Sequence, residues 1–360
     1  MEAGVCSLLM SKETDSAPGN GKSDRKRATS YDVAELAGVS QSAVSRVFQN
    51  GASASKAMRD RVMAAADQLG YRPNAIARGL ITQQSNMVAV VISKLTNLYY
   101  PEVLVQLTQR FSELGVRVLL FALENESDTE KVIEQMLQYR VDGVLTAAMF
   151  TPAQLQTISN AHIPVVFYNR SLKDRLVSSV RCDQEEGERW LVEGLVNAGH
   201  RSFGIVEGPP DSVVSIERKM GALAGLKELG IKDITTVSGD FGYATGRQCF
   251  AQLVEKHGSP PDAVIAANDV MAIGCIDEAR ENFDLAVPED ISIVGFDGVG
   301  QARYAAYNVT TVRQPVQRMT AAAASMLIER IENPELSFEK RSFSGSLIRG
   351  GSARFLADPE

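Results

Sequence analysis

The sequence predicts an α/β protein in which a small three-helix head precedes two doubly wound lobes. Three observations favour this fold class. Residues 29–70 hold three short helical patterns, each with its own start and stop signals. From residue 87 onward, short apolar runs alternate with amphipathic helical patterns, as in βα units that build a parallel sheet. The alternation breaks near Cys182 and then starts again, which indicates two lobes.

The start and stop signals of the head define a helix, a tight turn and a second helix. Thr29 is placed to cap the first helix and Gly38 to end it. Ser40 caps the second helix only two residues later. A third helix follows Ser55 and ends at Gly70. Two helices joined by a tight turn and supported by a third are the geometry with which many proteins read DNA.

The second helix carries side chains that suit base recognition. Its polar residues are Gln41, Ser42, Ser45 and Arg46. Gln and Arg pair bidentately with adenine and guanine edges in the major groove. Hydroxyl groups near the helix starts suit phosphate oxygens, and these belong to Thr29, Ser30, Tyr31 and Ser40.

The charge of the chain is distributed unevenly. Residues 22–84 contain ten Lys or Arg and five Asp or Glu, a balance of +5 within a chain of net charge −7. The remainder therefore carries −12. A basic head on an acidic body suits a protein that contacts nucleic acid at one end.

Composition limits the location of the protein and the class of site. The sequence has no uninterrupted apolar run long enough for a membrane span, and no cationic segment precedes the apolar run near its start. The four cysteines are widely spaced and form no metal motif, as expected for free thiols in a reducing cytoplasm. We expect residues 1–27 to be a disordered leader, which either adds phosphate contacts or serves as a solubilising tail.

Residues 71–84 predict a weak helix between head and body. Pro73 ends the preceding helix geometry, and Asn74 is placed to cap a short helix that reaches Leu80. Its apolar stripe is narrow, and Gly79 weakens it by ~1 kcal/mol relative to Ala. A helix this short is not stable alone.

The βα patterns after residue 87 place polar side chains at strand ends. We expect strands at residues 87–92, 117–121, 143–146, 165–167, 203–206, 234–237, 263–266, 291–294 and 342–348. The intervening helices are expected at 102–114, 130–139, 153–160, 185–198, 216–229, 245–256, 270–281 and 321–331. The carboxyl ends of the strands in each lobe share one edge, so the groups that follow them line a cleft between the lobes. These groups are Asn97, Tyr99, Tyr100, Asn169, Arg170, Arg218, Asp240, Phe241, Asn268, Asp269 and Asp297.

Three runs of the sequence resemble the lac repressor (LacI/GalR) family of bacterial transcription regulators. They are Tyr31–Ser40 (YDVAELAGVS), Val44–Val47 (VSRV) and Leu69–Leu80 (LGYRPNAIARGL). The resemblance covers the chain from residue 29 onward. It implies a core like that of the periplasmic binding proteins, with several crossovers between the lobes.

The resemblance assigns roles to residues of the head and the linker. It implies that Gln41, Ser42 and Arg46 read bases, and that a hinge helix over residues 74–80 enters the minor groove of a near-palindromic operator. Leu80 occupies the position of the residue that wedges between the central base steps. The DNA-contacting set expected in this way is Thr29, Tyr31, Ser40, Gln41, Ser42, Ser45, Arg46, Asn50, Tyr71, Asn74, Ala77 and Leu80.

The same resemblance implies a small-molecule effector in the cleft, bound by Asn169, Arg218, Phe241, Asn268 and Asp297, with Asn97, Tyr99 and Tyr100 beside them. Amides, a carboxylate, an arginine and aromatic rings suit a sugar or a sugar derivative. A sugar acid, a sugar phosphate or a purine-like base stays open as an alternative. For Asp240 and Asp269 we expect structural roles in place of ligand contact.

Other function classes fit the sequence less well. Its three histidines, His162, His200 and His257, are not beside a plausible nucleophile, and no GxGxxG, P-loop or HExxH motif is present. We therefore expect no enzyme activity, no cofactor and no metal. A periplasmic sugar-binding protein would lack residues 29–80, and an architectural DNA-binding protein would not need two lobes. Apolar heptads do not follow Arg354, so we expect a homodimer and not a tetramer, located in the cytoplasm at the nucleoid.

The expected organisation has five parts. Residues 1–27 form the leader, 28–73 the helix-turn-helix domain, and 74–84 the hinge helix and linker. The first lobe comprises residues 85–182 and 312–340. The second comprises residues 183–311 and 341–357.

Overall fold

The computed structural model describes residues 28–48, 53–73, 84–93, 97–123, 128–170 and 177–356. These residues fall into two compact units, which we call the head (residues 28–73) and the core (residues 84–356). None of the helices within these ranges is both long and apolar enough to cross a membrane.

The head contains the three helices that the sequence predicts: α1 (Ser30–Ala37), α2 (Gln41–Val47) and α3 (Lys56–Leu69). The predicted caps are confirmed, because the side chains of Thr29, Ser40 and Ser55 each accept an N–H bond from their own helix. Gly38 ends α1 at φ 64°, a left-handed conformation that glycine adopts without steric cost. Its place in the tight turn sets the direction of α2.

The three helices of the head enclose a small apolar core. Val33 of α1, Val44 of α2 and Val62 of α3 are each 0 % exposed. Small residues, including Ala34 and Ala66, let the helices approach closely around them. The packing of α2 against α1 and α3 stabilises a helix that would be too short to persist alone.

The core is built on two six-stranded sheets. The first sheet is entirely parallel, in the order β11-β5-β4-β3-β1-β2. Its strands are β1 (Met87–Ser93), β2 (Arg117–Leu123), β3 (Gly143–Thr146), β4 (Val165–Tyr168), β5 (Ser178–Cys182) and β11 (Lys340–Phe343).

The second sheet has the order β12-β10-β9-β8-β6-β7, and within it β12 runs antiparallel to β10. The remaining pairs are parallel. Its strands are β6 (Ser202–Glu207), β7 (Asp233–Ser238), β8 (Ala263–Ala266), β9 (Ser292–Asp297), β10 (Thr310–Arg313) and β12 (Ser346–Ile348).

Helices connect the strands and cover the sheets, as the alternating pattern predicts. Those associated with the first sheet are α4 (Tyr99–Glu113), α5 (Thr129–Tyr139), α6 (Pro152–Asn160) and α11 (Val316–Glu332). Those associated with the second sheet are α7 (Gln184–Asn197), α8 (Val213–Glu228), α9 (Tyr243–His257) and α10 (Asp269–Asn282), with a 3₁₀ turn at Gly300–Arg303. The central strands are buried on both faces, and β3, β8 and β9 contain only buried residues.

The chain passes between the two sheets three times: after β5, after β10, and between β11 and β12. The expected lobe limits at 311/312 and 340/341 are each a few residues too early. Strand β10 pairs over its whole length with β9, and β11 pairs over its whole length with β5, so the chain leaves each sheet only after these strands end. The single strand expected at 342–348 is in fact two strands in different sheets. Likewise Thr310–Arg313 belongs to the second sheet, and the return to the first begins with α11.

Three helices start three or more residues earlier than the sequence predicts, and one of them is α11, which begins at Val316 and not at residue 321. Helix α4 begins at Tyr99 and not at residue 102, so Tyr99 and Tyr100 lie in its first turn and not in a loop. Helix α8 begins at Val213, which places Arg218 in its second turn and not at its start. In α4 and α8 the extra turn is apolar or aromatic and packs against the core, which a search for amphipathic periodicity does not detect.

Candidate functional site

The polar face of α2 is exposed while its apolar face is buried. Ser42, Ser45 and Arg46 are exposed, whereas Val44 and Val47 are 0 % and 3 % exposed. Two of the three predicted base-reading side chains, Ser42 and Arg46, are therefore available to a ligand on one side of the helix, together with Ser45. This surface has the shape and chemistry of a helix that enters the major groove.

Hydrogen bonds inside the head hold the start of α2 in place. The Ser40 hydroxyl accepts the N–H of Ala43 at 3.2 Å and lies 2.9 Å from the Ser42 hydroxyl. The Gln41 amide, half-buried, donates to the Ser30 hydroxyl at 3.3 Å. Gln41 thus ties α2 to α1 in the DNA-free head and would have to give up this bond to contact a base.

The remaining predicted phosphate contacts on the head differ in their exposure. Tyr31 is 72 % exposed, and Thr29 is exposed while its N–H donates to the Asp32 carboxylate at 2.7 Å. Tyr71 is half-buried, with its ring edge against Phe48 at a centroid distance of 5.8 Å. Tyr71 therefore has a packing role in the head whether or not it contacts DNA. Four predicted DNA contacts lie outside the described residues: Asn50, Asn74, Ala77 and Leu80.

In the core, the predicted effector residues gather where the two sheets face each other. Asn169 follows β4 of the first sheet directly, and Asp297 is the last residue of β9 in the second. Arg218 lies on α8, and it reaches the carbonyl oxygen of Ala267 at the end of β8. Asn169, Arg218 and Asp297 are 4 %, 3 % and 4 % exposed, so they form a buried polar centre.

Arg218 is the hub of this centre. Its Nη2 donates to Asp297 Oδ1 at 2.7 Å, its Nε to Gln184 Oε1 at 2.8 Å and its Nη1 to the carbonyl oxygen of Ala267 at 2.5 Å. Its guanidinium carbon lies 3.9 Å from the centre of the Phe296 ring, within cation–π range. The charge is desolvated but paired and hydrogen-bonded, which is the condition for a stable buried ion.

Two glutamines extend the centre to the first sheet. Gln314, 0 % exposed, donates to Asp297 Oδ1 at 2.7 Å and accepts from the Tyr99 hydroxyl at 3.2 Å. Gln184, 1 % exposed, donates to Asn169 Oδ1 at 3.1 Å. Each glutamine thus joins a residue of the first-sheet side to a residue of the second-sheet side. We call the connected set the polar bridge; it comprises Tyr99, Tyr168, Asn169, Gln184, Arg218, Asp297 and Gln314.

The tyrosines of the polar bridge act as neutral donors. Burial is the main cause that raises the pKa of the Tyr99 hydroxyl well above its ordinary value, and the neighbouring Tyr168 adds to the rise. Burial likewise raises the pKa of Tyr168, whose hydroxyl lies 3.1 Å from that of Tyr99. Both hydroxyls keep their protons near neutral pH and can hydrogen-bond a polar ligand without changing its charge.

Three of the predicted effector residues have left-handed backbone conformations: Asn169 (φ 53°), Phe241 (φ 72°) and Asp297 (φ 106°). For residues other than glycine such conformations cost ~1–3 kcal/mol each and are concentrated at binding and catalytic sites. Their convergence here supports a binding role for this part of the core.

Phe241 supplies an aromatic surface. Its ring lies directly against Gly208, so closely that a Cβ atom at Gly208 would overlap the ring. The ring is half-buried, which leaves part of it free to stack on a ligand. The carbonyl oxygen of Phe241 also accepts from Asn268 Nδ2 at 3.1 Å.

Asn268, Asn97 and Tyr100 have structural partners of their own. Asn268 Oδ1 caps α10 by accepting the Met271 N–H at 2.9 Å, and Asn97 Oδ1 accepts the Tyr99 N–H at 3.1 Å. Tyr100 is 5 % exposed and packs edge-on against Tyr99 at a centroid distance of 5.5 Å. These contacts position the three residues beside the polar bridge.

Asp240 and Asp269 have the structural partners that their expected roles require. Asp240 accepts the Gly242 N–H at 2.8 Å ahead of α9. Asp269, 0 % exposed, accepts the Val299 N–H at 2.8 Å and the Thr311 hydroxyl at 2.5 Å. Burial is the main cause that raises the pKa of Asp269 to about 8.

Sequence reasoning missed Gln184, Gln314 and Tyr168. Gln184 is the first residue of α7, which follows β5, and Gln314 lies between β10 and α11. At both places the chain crosses between the sheets. A glutamine placed between a buried strand and a buried helix is the signal that could have identified them. Within the described residues, no group of three or more His, Cys, Asp or Glu is arranged to hold a metal ion.

Comparison with known proteins identifies the two units. Residues 29–74 match the family model described as bacterial regulatory proteins, lacI family, and residues 192–353 match a periplasmic binding protein-like domain. The chain is 32 % identical over 331 residues to the HTH-type transcriptional regulator AscG of Escherichia coli K12, covering 90 % of this chain and 98 % of AscG. It is 31 % identical to the ribose operon repressor of the same strain, covering 91 % and 100 % of the two chains.

Solved structures agree with these matches. The lac repressor dimer bound to operator and the anti-inducer ONPF superposes with a TM-score of 0.82 at 28 % identity, covering 91 % of this chain and 99 % of that one. A complex of the transcriptional regulator CelR with cellobiose superposes with a TM-score of 0.69 at 28 % identity, covering 91 % and 100 %. With the helix-turn-helix head and the two-sheet core, these similarities show that the chain belongs to the lacI family of bacterial regulatory proteins.

Proposed function

We propose that this protein is a transcriptional repressor that binds a near-palindromic DNA operator as a homodimer and releases or tightens its hold when a small molecule binds the core. The observation that carries the proposal is the polar bridge, which joins the two sheets of the core at the predicted effector residues. A ligand that exchanges bonds with the polar bridge changes how the sheets are held together. As a regulator of chromosomal DNA, the protein acts in the cytoplasm at the nucleoid.

The head supplies DNA recognition. Ser42 and Arg46 are exposed on α2, and Gln41 is held beside them. We assign base reading to these three side chains and phosphate contacts to Thr29, Tyr31 and Ser40. The net charge of +5 on residues 22–84, which include the head, provides the attraction to DNA that does not depend on sequence.

We infer that residues 74–80 form the hinge helix and that Leu80 is its minor-groove wedge, with Asn74 and Ala77 on the same helix. This segment lies outside the described residues, and the inference rests on its sequence. The short helix gains stability from pairing with its copy in the dimer and from DNA. It therefore connects the state of the core to operator affinity.

The polar bridge favours a neutral, polyhydroxylated effector. The positive charge of Arg218 is already matched by Asp297 at 2.7 Å, so a ligand with a net charge would leave one of these groups unbalanced. Hydroxyl groups both donate and accept, so they can replace the bonds that Gln184 makes to Asn169 and that Gln314 makes to Asp297. The exposed part of the Phe241 ring suits the apolar face of a sugar.

An acidic or purine-like effector is the alternative to a neutral sugar. The ligands and names of the relatives indicate which compounds to test. The CelR structure holds cellobiose, a family member from Enterococcus faecium holds ribose, and one relative is named as the PurR repressor. These ligands belong to those proteins and define the panel to use here.

A thermal-shift screen of the full-length protein tests the effector assignment. The panel contains neutral mono- and disaccharides, sugar acids, sugar phosphates and purines. A true effector at about 100 times its Kd adds ~2.7 kcal/mol of stability. Stabilisation by neutral sugars alone supports the proposal, and selective stabilisation by an acid, a phosphate or a purine would overturn the neutral-sugar assignment.

A further inference from the structure

The core contains a buried carboxyl group that the polar bridge does not use. Glu188 lies on α7, one helical turn after Gln184, and is 1 % exposed. None of the described residues donates a hydrogen bond to either of its carboxyl oxygens. A buried charge without partners is costly, so a carboxyl in this position normally keeps its proton.

Glu188 opens onto a small cavity behind Arg218. The cavity has a volume of about 10 Å³, close to the smallest space that holds one water molecule. Its apolar wall includes Ile205, Ala222 and Ile265. Glu188 and Arg218 thus line the same cavity.

Several charged groups on the elements packed around Glu188 have partners, whereas one carboxyl oxygen of Glu186, on the same helix, is buried without one among the described residues. On α8, Arg218 pairs with Asp297 of β9 at 2.7 Å. Lys219 of α8 pairs with Glu207 of β6 at 2.9 Å, across the same cavity. The other pairs nearby are Glu217 with Arg181 at 2.7 Å, Arg313 of β10 with Glu102 at 2.6 Å, and Arg189 of α7 itself with Glu228 at 3.8 Å.

We propose that Glu188 is a reserve counter-ion for Arg218: it is neutral while Asp297 holds the arginine, and it ionises when a bound effector draws Asp297 away. Glu188 is then a positioning residue that keeps Arg218 in place during the exchange of bonds, and effector binding releases one proton from the core. This inference rests on the proposed function, because it assumes that the effector engages Asp297.

The electrostatics of the site agree with this role. Burial is the largest cause that raises the pKa of Glu188 to about 8; the Arg218 charge opposes the rise, and the Asp297 charge adds to it. Removal of the Asp297 charge therefore acts in one direction only: the pKa of Glu188 falls, and the carboxylate forms beside an arginine that has lost its partner. The linkage predicts that effector affinity increases with pH across the range in which Glu188 titrates.

The first test compares thermal unfolding of the full-length wild type and Glu188→Gln between pH 5 and pH 9. In the unfolded chain a glutamate loses its proton near its ordinary pKa of 4.5, whereas in the folded wild type Glu188 keeps it up to about 8. The stability that the proton provides is fully present below the lower value and is lost as the pH rises through the upper one. The wild type should therefore lose on the order of 5 °C in Tm relative to Glu188→Gln as the pH rises.

If the Tm of the wild type and that of Glu188→Gln change with pH in the same way, Glu188 does not keep its proton in the folded protein. Glu207→Gln is the matched control, since Glu207 lines the same cavity but is paired with Lys219. That variant should be less stable than the wild type at pH 7 to 9, because it leaves Lys219 without its partner.

The second test measures the coupling to Asp297 without any effector. The Tm of Asp297→Asn is compared with that of the double variant Asp297→Asn/Glu188→Gln over the same pH range. The pH at which the two Tm values diverge should be lower than in proteins that keep Asp297, because Arg218 is free to stabilise the Glu188 carboxylate. An unchanged difference would overturn the reserve role. If Asp297→Asn does not fold, an Arg218→Met background serves instead, and there the difference should move to higher pH.

These outcomes are separate from those of the proposed function. The coupling between Glu188, Arg218 and Asp297 is measured without ligand or DNA, so it succeeds or fails whatever the thermal-shift screen finds. If the screen finds an effector but Glu188 shows no coupling to Arg218 and Asp297, the effector site stands and the reserve role of Glu188 is wrong.

Discussion

The Arg218–Asp297 pair carries a large share of the energetics of the effector site. Both groups are almost fully buried, and their charges are offset by each other and by three further hydrogen bonds: Arg218 donates to Gln184 and to the Ala267 carbonyl oxygen, and Gln314 donates to Asp297. The guanidinium of Arg218 also lies over the Phe296 ring. Breaking a buried ion pair by removing one partner costs ~3–5 kcal/mol, since the other charge stays desolvated. A ligand that enters this network must therefore replace the bonds it breaks.

The variant Asp297→Asn tests whether Asp297 is required for the response of operator binding to the effector. We expect the variant to lose ~3 kcal/mol of stability and the response of operator binding to the effector, because the amide cannot neutralise Arg218. Differential scanning fluorimetry and operator titrations with and without the effector measure the two effects. Asp240→Asn is the control: Asp240 is exposed and shapes the turn before α9, so its loss should change stability by less than ~0.5 kcal/mol. An effector response retained in Asp297→Asn would contradict the assignment.

At this scale the sequence predicted the polar residues at strand ends better than those in helices. Asn169 and Asp297 directly follow or end a buried strand, a position that apolar runs make visible. Gln184 and Glu188 could not be found in this way, because the burial of a polar side chain on a helix depends on which element packs against it. Gln314 directly follows β10 and was missed because that strand was not expected. Arg218 was among the polar groups expected near the strand ends, and its ligand role came from the family resemblance. It was expected at the start of its helix but lies in the second turn of α8.

At the scale of elements, α2 is a short helix that persists through its cap and its packing. It spans Gln41–Val47, and Ser40 caps it while Val44 and Val47 anchor it in the head. Its exposed face is thereby free to be polar without loss of stability. Recognition and folding are assigned to opposite sides of the same helix.

Arg46→Ala separates the two roles. We expect specific operator affinity to fall by about 10- to 100-fold, corresponding to ~1–3 kcal/mol for one bidentate base contact, with a smaller loss on random DNA. Because Arg46 is exposed, the Tm of the head should change little. Fluorescence anisotropy with operator and random duplexes measures both affinities, with Arg189→Ala, an exposed arginine of α7, as the control. Equal losses on the two duplexes would make Arg46 a phosphate contact.

Leu80→Ala tests the hinge helix. We expect weaker binding to the operator and little change on random DNA, because the wedge acts only where the duplex is kinked. The same anisotropy titrations measure it, and circular dichroism checks that the fold is kept. A similar loss on both duplexes would contradict the wedge assignment.

The crossings between the sheets show why element order is easier to predict than pairing. Residues 342–348 were expected to form one strand, yet Lys340–Phe343 pairs with β5 and Ser346–Ile348 with β10. Strand propensity is a local property, whereas the partner of a strand is set by the rest of the fold. Nine strands were expected and the described residues contain twelve, because β5 and β10 were not expected and the last expected strand is two. The order of the other strands follows from the sequence, and the points at which the chain changes sheet do not.

At the scale of the whole molecule, the charge distribution and the family both indicate a protein that binds DNA as a dimer. Residues 22–84, which include the head, carry +5 within a chain of −7, so a dimer brings two such basic segments to an operator. A symmetric dimer matches a near-palindromic site, since each head reads one half.

Light scattering after gel filtration tests the oligomeric state. We expect a mass near twice the chain mass of 39.0 kDa, independent of effector. A mass near four chains would contradict the dimer, and a single chain would remove the basis for paired hinge helices.

The central claim is that the state of the polar bridge sets operator affinity. The direct measurement is the Kd for the operator, at fixed salt, without and with a saturating concentration of the compound that stabilises the protein in the thermal-shift screen. We predict a change of about 5- to 150-fold in wild type, corresponding to a coupling of ~1–3 kcal/mol, and no change in Asp297→Asn. Equal operator affinity with and without the bound compound in the wild type would contradict the account.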